Sequence, residues 1–237
     1  MQELLEAEGI TFRLGTRATR VAPSDEGIVL SLEGGEELYA SHLFLGAGRK
    51  PNTDDLGLDT VGVMVDDKGF VQTDERLRSS VQGIWVAGDI WGGPMFTHTA
   101  YDDYGVLTSQ LLGDGSKTTE RLVPYAMFID PQLGRVGLSE REARESGKAV
   151  EVATYEMKKN GRAREMGEAN GFIKVVADAE TKRILGATVL AAEGAELVHV
   201  YIDLMNADAP YTVLERAIHI HPTLSEATKS VVRGFTE

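Results

Sequence analysis

The sequence of 237 residues contains no cysteine. Disulfide staples, zinc–thiolate sites and cysteine nucleophiles are therefore excluded within the chain. No apolar run approaches the roughly 20 residues that a membrane span requires. Basic charge is scarce: 24 Lys and Arg stand against 37 Asp and Glu, a formal net charge of −13. That balance argues against nucleic acid and against anionic membrane surfaces, both of which select Lys/Arg clusters. The opening Met1-Gln2-Glu3-Leu4-Leu5-Glu6 lacks the basic and apolar regions of a signal peptide, so a cytoplasmic location is expected. Hydrophobic residues make up 42% of the chain, enough for ordinary globular cores in one or two domains.

Against these absences, one stretch is dense in chemistry: Ala217-Ile218-His219-Ile220-His221-Pro222-Thr223-Leu224-Ser225-Glu226. Pro222 has a preset φ and no N–H, which suits a helix start. Thr223 and Glu226 have the Ser/Thr-x-x-Glu spacing of a capping box, so a helix is expected over 224–232 with Gly234 as its stop. His221 precedes that helix and Glu226 lies in its first turn. A carboxylate there can hold one imidazole nitrogen and leave the other as a base. The spacing alone leaves two readings open, a helix cap and a catalytic His–Glu pair.

Elsewhere, Gln2–Glu8 has the pattern of an amphipathic helix, and Ile10–Leu14 alternates like a strand. Thr19–Pro23 and Gly27–Leu32 form an expected hairpin about Ser24-Asp25-Glu26-Gly27, and Gly34-Gly35 turns into a further strand, Glu37–Ala40. Leu43-Phe44-Leu45-Gly46-Ala47-Gly48 is an apolar run closed by glycines, the pattern of a parallel strand buried on both faces. It is not a GxGxxG phosphate loop, because Pro51 stands at the last glycine position. Val61–Val65 and Phe70–Thr73 suggest a hairpin about Asp66-Asp67-Lys68-Gly69. Ile84-Trp85-Val86-Ala87-Gly88-Asp89 repeats the buried-strand pattern and ends on an acid. Gly88 allows close approach of a ligand. Asp89 is suited either to accept hydrogen bonds from sugar-like hydroxyls or to cap the next turn of chain. A helix is expected over 98–112, with Ala100, Tyr104, Leu107 and Leu111 inward.

The polar segment Asp114–Thr119 marks an expected domain boundary. Beyond it, strands are expected at 125–129, 135–138, 150–155, 171–177 and 184–190. Ser139-Glu140-Arg141-Glu142 is a second capping box. A helix is expected over 193–207, and Asp208-Ala209-Pro210 introduces another. Arg162 and Arg164 are expected to solvate a loop. Strands with helices gathered at one end give an α+β pattern.

The string HxHPTLSE over 219–226 resembles the C-terminal signature of the FAD-dependent pyridine nucleotide–disulfide oxidoreductases. Gly48-Arg49-Lys50-Pro51-Asn52 resembles their crossover from nicotinamide to flavin domain, although a plain domain-crossing turn fits Arg49 and Lys50 equally. The strand ending in Gly88-Asp89 resembles their second flavin motif. Pro124–Phe128, Arg135–Leu138 and Arg162–Met166 place the chain nearest the mercuric reductase-like and hypochlorite-resistance types. True mercuric reductases end with a vicinal cysteine pair, which argues against mercury reduction here.

The resemblance implies α/β plus α+β architecture: the end of a nucleotide-binding α/β domain at 1–48, a second flavin-binding segment at 49–117, and a dimerisation domain at 118–237 with an antiparallel sheet and helices on one side. It implies FAD and NAD(P)H as cofactors. Gly48 then lies near the nicotinamide, Asp89 after Gly88 binds the ribityl chain, and Met95, Phe96, Thr97 and His98 touch the flavin at a positive helix end. His221 is the implied acid–base, oriented by Glu226 and contributed across a homodimer, with Val198, Tyr201, Ile202 and Met205 as the apolar face. The substrate is a small molecule or a disulfide. Since the family's redox cysteines lie in its N-terminal flavin domain, the chain is expected to be the C-terminal portion of a longer enzyme, inactive alone and holding FAD weakly or not at all. The rival expectations are a non-catalytic dimerisation or binding module and a cysteine-free FAD-dependent NADH–acceptor reductase.

Overall fold

The computed structural model describes residues 1–25 and 27–235, so Glu26 of the first expected turn lies outside the described residues. The chain divides into two units, 1–50 and 51–237.

The first unit opens with helix α1 (Gln2–Ala7) and continues into an antiparallel meander of β1 (Ala18–Ser24), β2 (Gly27–Leu32) and β3 (Glu37–Ala40). Val21 pairs with Leu30, and Leu30 in turn with Leu38, so the middle strand is bonded on both edges. Leu32 is the one buried side chain among the described residues of this unit. Two expected strands are absent. Ile10–Leu14 is irregular, with Leu14 70% exposed. The run Leu43–Leu45 is neither a strand nor buried, with Phe44 92% exposed. A parallel strand exists only through the ladders on its two sides, and no described strand pairs with either segment.

In the second unit a short helix, α2 (Leu58–Val61), replaces the start of the expected 61–65 strand. The hairpin about Asp66–Gly69 survives as one bridge, Val65 to Val71, closed by Asp66 Oδ1 accepting from the amides of Lys68 and Phe70. The expected buried strand Ile84–Asp89 is reduced to a single antiparallel bridge, Arg78 to Trp85, although Val86 is buried beside Val63 and Val71. The long helix α3 spans Thr97–Leu112, as its apolar spacing requires, but its inward face differs from the expected one. Thr99, Asp103 and Val106 are buried, whereas Tyr104 and Leu111 are more than half exposed.

The larger core is built on a five-stranded antiparallel sheet of order β4-β5-β8-β7-β6. Its strands are β4 (Tyr125–Met127), β5 (Gln132–Gly137), β6 (Val150–Glu156), β7 (Phe172–Asp178) and β8 (Ile184–Ala191). Alternation explains its faces. Ile173, Val175 and Ala177 join the main core, while Lys174 points the other way and donates to Glu140 at 3.1 Å. Glu140 opens α4 (Glu140–Glu145), where the Ser139/Glu142 capping box forms in full. The arginines expected in a loop lie on a short helix, α5 (Gly161–Met166), because Asn160 caps it.

Helices α6 (Gly194–Leu197), α7 (His199–Asn206), α8 (Thr212–Arg216) and α9 (Glu226–Arg233) contribute Leu197, Tyr201, Leu204, Leu214, Val231 and Val232 to the core face. The single helix expected over 193–207 is therefore two. Glu193 adopts φ 54°, and α6 approaches β5 so closely that a Cβ on Gly134 would lie 2.4 Å from the Gly194 carbonyl oxygen. Tyr201 and Val198 are 0% and 3% exposed, so they belong to this chain's own core and offer no apolar surface to a partner. The most exposed apolar side chains of this region are instead Phe128, Ile218 and Ile220. Among the described residues, no helix is long and apolar enough to cross a membrane.

Candidate active site

Helix α9 buries Ala227, Thr228, Val231 and Val232 and so fixes the direction of its first residue, Glu226. Helix formation starts there, two positions later than the sequence pattern predicts. Thr223 makes half of the expected capping box. Its N–H donates to Glu226 Oε2 at 3.1 Å, but its hydroxyl turns back to the Ile220 carbonyl at 2.7 Å. The same carboxylate meets His221 Nδ1, at 3.1 Å from Oε1 and 3.0 Å from Oε2. The cap and the His–Glu pair are thus one arrangement.

The electrostatics favour an ionised acid. The Thr223 amide holds the Glu226 carboxyl below its ordinary value; desolvation is the next effect and opposes it, and the His221 hydrogen bond adds to the lowering. An ionised Glu226 selects the Nδ1–H tautomer and leaves Nε2 as the basic nitrogen. The His221 side chain is 76% exposed and Glu226 27%, so the pair is anchored at the carboxylate and open at the imidazole. His219 meets the Ser225 carbonyl through Nδ1 at 3.1 Å and takes no part in the pair.

A second cluster lies around Gly88. Its φ of 75° and ψ of −161° belong to backbone that side chains disfavour, and it precedes the 3₁₀ turn Asp89–Trp91. Asp89 is exposed at the start of that turn. What holds the turn is Asp103, which sequence reasoning missed because it took the inner face of α3 to be apolar. The signal was the Thr99–Asp103–Val106 spacing at i, i+4, i+7. Asp103, 1% exposed, accepts from Gly88 N and Trp91 Nε1 at 2.8 Å each and from the Arg121 guanidinium at 2.5 Å. Arg121 also donates to Asp102 at 2.6 Å, and Lys117 caps the same carboxylate. Burial alone raises the Asp102 carboxyl, but the bonds from Lys117 and Arg121 outweigh it and hold the group below its ordinary value.

Met95, Phe96, Thr97 and His98 lead into α3. Phe96 stacks on His98 at 5.1 Å and on Tyr125 at 6.1 Å between centroids, and His98 Nε2 meets the Pro124 carbonyl at 2.8 Å. No acidic residue occupies the first turn of α3, so its positive end is uncompensated there. Gly88, Asp89 and the N-terminus of α3 are the groups here that could hold a dinucleotide with a polyol linker and an anionic ring. In the first unit Gly48 has φ 108°, with open space where a Cβ would stand.

Comparison with known proteins gives concordant results. The family model described as "Pyridine nucleotide-disulphide oxidoreductase" matches residues 1–103, and the model of that family's dimerisation domain matches 123–232. A probable pyridine nucleotide-disulfide oxidoreductase of Escherichia coli, RclA, is 33% identical over 226 residues, covering 94% of this chain and 51% of the relative. The dihydrolipoyl dehydrogenase of Halobacterium salinarum is 36% identical over 232 residues, 96% of this chain and 49% of the relative. Among solved structures, that of the HOCl-induced flavoprotein disulfide reductase RclA from Escherichia coli superposes with a TM-score of 0.92 at 32% identity, over 98% of this chain and 54% of the other. The chain spans about half the length of the curated relatives it matches.

The Asp102 cluster makes a pH-dependent prediction. A carboxyl whose folded value is lowered stabilises the fold above its unfolded value near 3.8 and loses that contribution as pH falls through the folded value. Asp102→Asn is expected to cost about 1 kcal/mol at neutral pH, the scale of a partly exposed ion pair. The deficit in melting temperature should close as pH falls through the lowered folded value; an equal deficit at both ends of the range would exclude this ionic origin.

Proposed function

The chain belongs to the class I pyridine nucleotide-disulphide oxidoreductases, and from that premise we propose that it supplies the acid–base half of an FAD-dependent NAD(P)H–disulfide oxidoreductase. On this reading residues 1–48 close the nicotinamide domain, 49–117 form the second flavin segment and 118–237 the dimerisation domain. The observation that carries the proposal is the His221 Nδ1–Glu226 contact at 3.0 Å in a chain without a thiol of its own. An oriented base needs a proton to move, and the sulfur it serves belongs to a partner segment or to the substrate.

The geometry gives each residue its role. Glu226, kept ionised, orients His221. His221 Nε2 takes the proton from a thiol as the thiolate forms and returns it to the departing thiolate when a disulfide is reduced. Asp89 would hold the ribityl chain of FAD, and Asp103 keeps the Gly88–Trp91 turn in place for it. Main-chain groups at Met95, Phe96 and Thr97 and the first turn of α3 would hold the flavin ring. His98, tied to Pro124 and stacked on Phe96, shapes that edge. Gly48 would leave room for the nicotinamide. FAD, when bound, supplies the two-electron hydride chemistry between a nicotinamide and a disulfide. The exposure of the His221 ring, with Ile218 and Ile220 exposed beside it, supports its delivery into the site of a second copy.

Three measurements test this reading. Sedimentation of the chain at micromolar concentration should give a homodimer; a monomer at every concentration would remove the basis for a shared site. In the complete protein, Asp89→Ala should lower FAD retention after dialysis, with folding intact, by the ~1.5–3 kcal/mol of a hydrogen bond to a charged group. Unchanged flavin content would leave Asp89 as a turn residue. Most decisively, His221→Gln should reduce disulfide turnover per bound flavin by roughly 10²–10⁴-fold and spare flavin reduction by NAD(P)H, with Glu226→Gln milder. Equal turnover in wild type and His221→Gln would sink the catalytic assignment.

A further inference from the structure

Asn160 lies between the 3₁₀ turn Met157–Lys159 and α5, and its side chain is almost wholly buried, 3% exposed. A buried amide must satisfy both its oxygen and its nitrogen. The oxygen accepts from the Ala163 amide at 2.9 Å and caps α5. The nitrogen does something no cap requires: it donates to the carbonyl of Thr223 at 3.1 Å, 63 residues further along the chain.

Thr223 is the residue whose N–H holds Glu226 Oε2. Asn160 therefore grips one main-chain group of Thr223 while the other grips the carboxylate that orients His221. The remaining bonds of this loop are local. Thr223 Oγ1 donates to Ile220, His219 meets Ser225, and Lys229 of α9 donates to Ala217. They stiffen the loop but do not set it against the sheet. Asn160 reaches it from a separate element, one that comes directly after β6. The choice of residue is informative as well. Asp and Ser cap helices as well as Asn does, yet an ionised Asp has no donor and a Ser hydroxyl is shorter than the amide.

We propose that Asn160 is the positioning residue of the acid–base pair, its buried amide fixing the Thr223 carbonyl so that the Thr223 N–H and His221 Nδ1 converge on one carboxylate. The inference rests on the reading of His221 and Glu226 given above. It assigns α5 and its cap a function beyond packing: they set the loop from the sheet side, as α9 sets Glu226 from the helix side.

Asn160→Asp separates the two bonds, because it keeps the cap and removes the donor. Asn160→Ser does the same with a smaller, neutral group, which guards against a folding defect from a buried charge. The chain has five histidines, so the imidazole nitrogens of His221 can be followed individually by ¹⁵N NMR. In the unsubstituted chain His221 should show the Nδ1–H tautomer. In both variants its resonances should move toward those of an untethered imidazole, with the melting temperature nearly unchanged. In the complete flavin-loaded enzyme, disulfide turnover should fall about tenfold at constant flavin content, the factor one hydrogen bond commonly represents. Unaltered His221 resonances in both variants overturn the assignment, and so does a lowered melting temperature with the tautomer preserved. If the tautomer is lost in the Asn160 variants while His221→Gln leaves turnover intact, Asn160 still positions the pair and it is the acid–base reading that fails.

Discussion

Burial of one face of α9 is the constraint on which the candidate site depends. Ala227, Thr228, Val231 and Val232 are each 0–1% exposed, and Tyr201, itself wholly buried, donates to the Thr228 carbonyl at 3.1 Å. Fully burying a valine is worth about 1.5–3 kcal/mol, whereas the bonds that converge on Glu226 are each worth about 1 kcal/mol net. The apolar seam therefore decides where Glu226 sits, and the hydrogen bonds only choose how His221 and Thr223 arrange themselves around it. Turning helix α9 so as to carry Glu226 away from His221 would draw Ala227 and Thr228 out of the core.

The same hierarchy explains what the sequence disclosed. The five strands of the second sheet were legible because their residues alternate between a core and a bonded neighbour, and Ile173, Val175 and Ala177 keep that period across the whole of β7. The Ser139/Glu142 box was legible because a cap is local. Leu43–Leu45 and Ile84–Ala87 were misread for a common reason. An apolar run reports an affinity for burial, but a strand is made by the groups that pair with it. No described strand flanks the first run, and a single bridge meets the second. The run at 43–45 accordingly stands exposed, with Phe44 at 92%.

The inward face of α3 went unread because apolar spacing was taken as the only route to burial. Asp103 takes the other one. A buried carboxylate is costly alone, but here two N–H donors and a guanidinium satisfy it. The result is more directional than an apolar contact, since it fixes the turn that carries Gly88 and Asp89. The His221–Glu226 pair was visible in the sequence because its members are five residues apart and one helix start brings them together. Asn160 was invisible for the opposite reason, since 63 residues and a sheet separate it from the carbonyl it holds.

These features also explain why a well-bonded loop presents so much apolar surface. Ile218 and Ile220 are 97% and 79% exposed, and they flank His219, whose ring is tied to the Ser225 carbonyl. The loop is not loose, because Lys229, Thr223 and Asn160 hold its backbone at Ala217, Ile220 and Thr223. Rigid backbone with outward isoleucines forgoes burial energy within the chain and leaves it available for association. On the proposed reading, His221 in such a loop, anchored by Glu226 and open at Nε2, would act on a sulfur carried by another surface. On the proposed homodimer that surface would be the second copy, and burial of the two isoleucines would bring His221 to it.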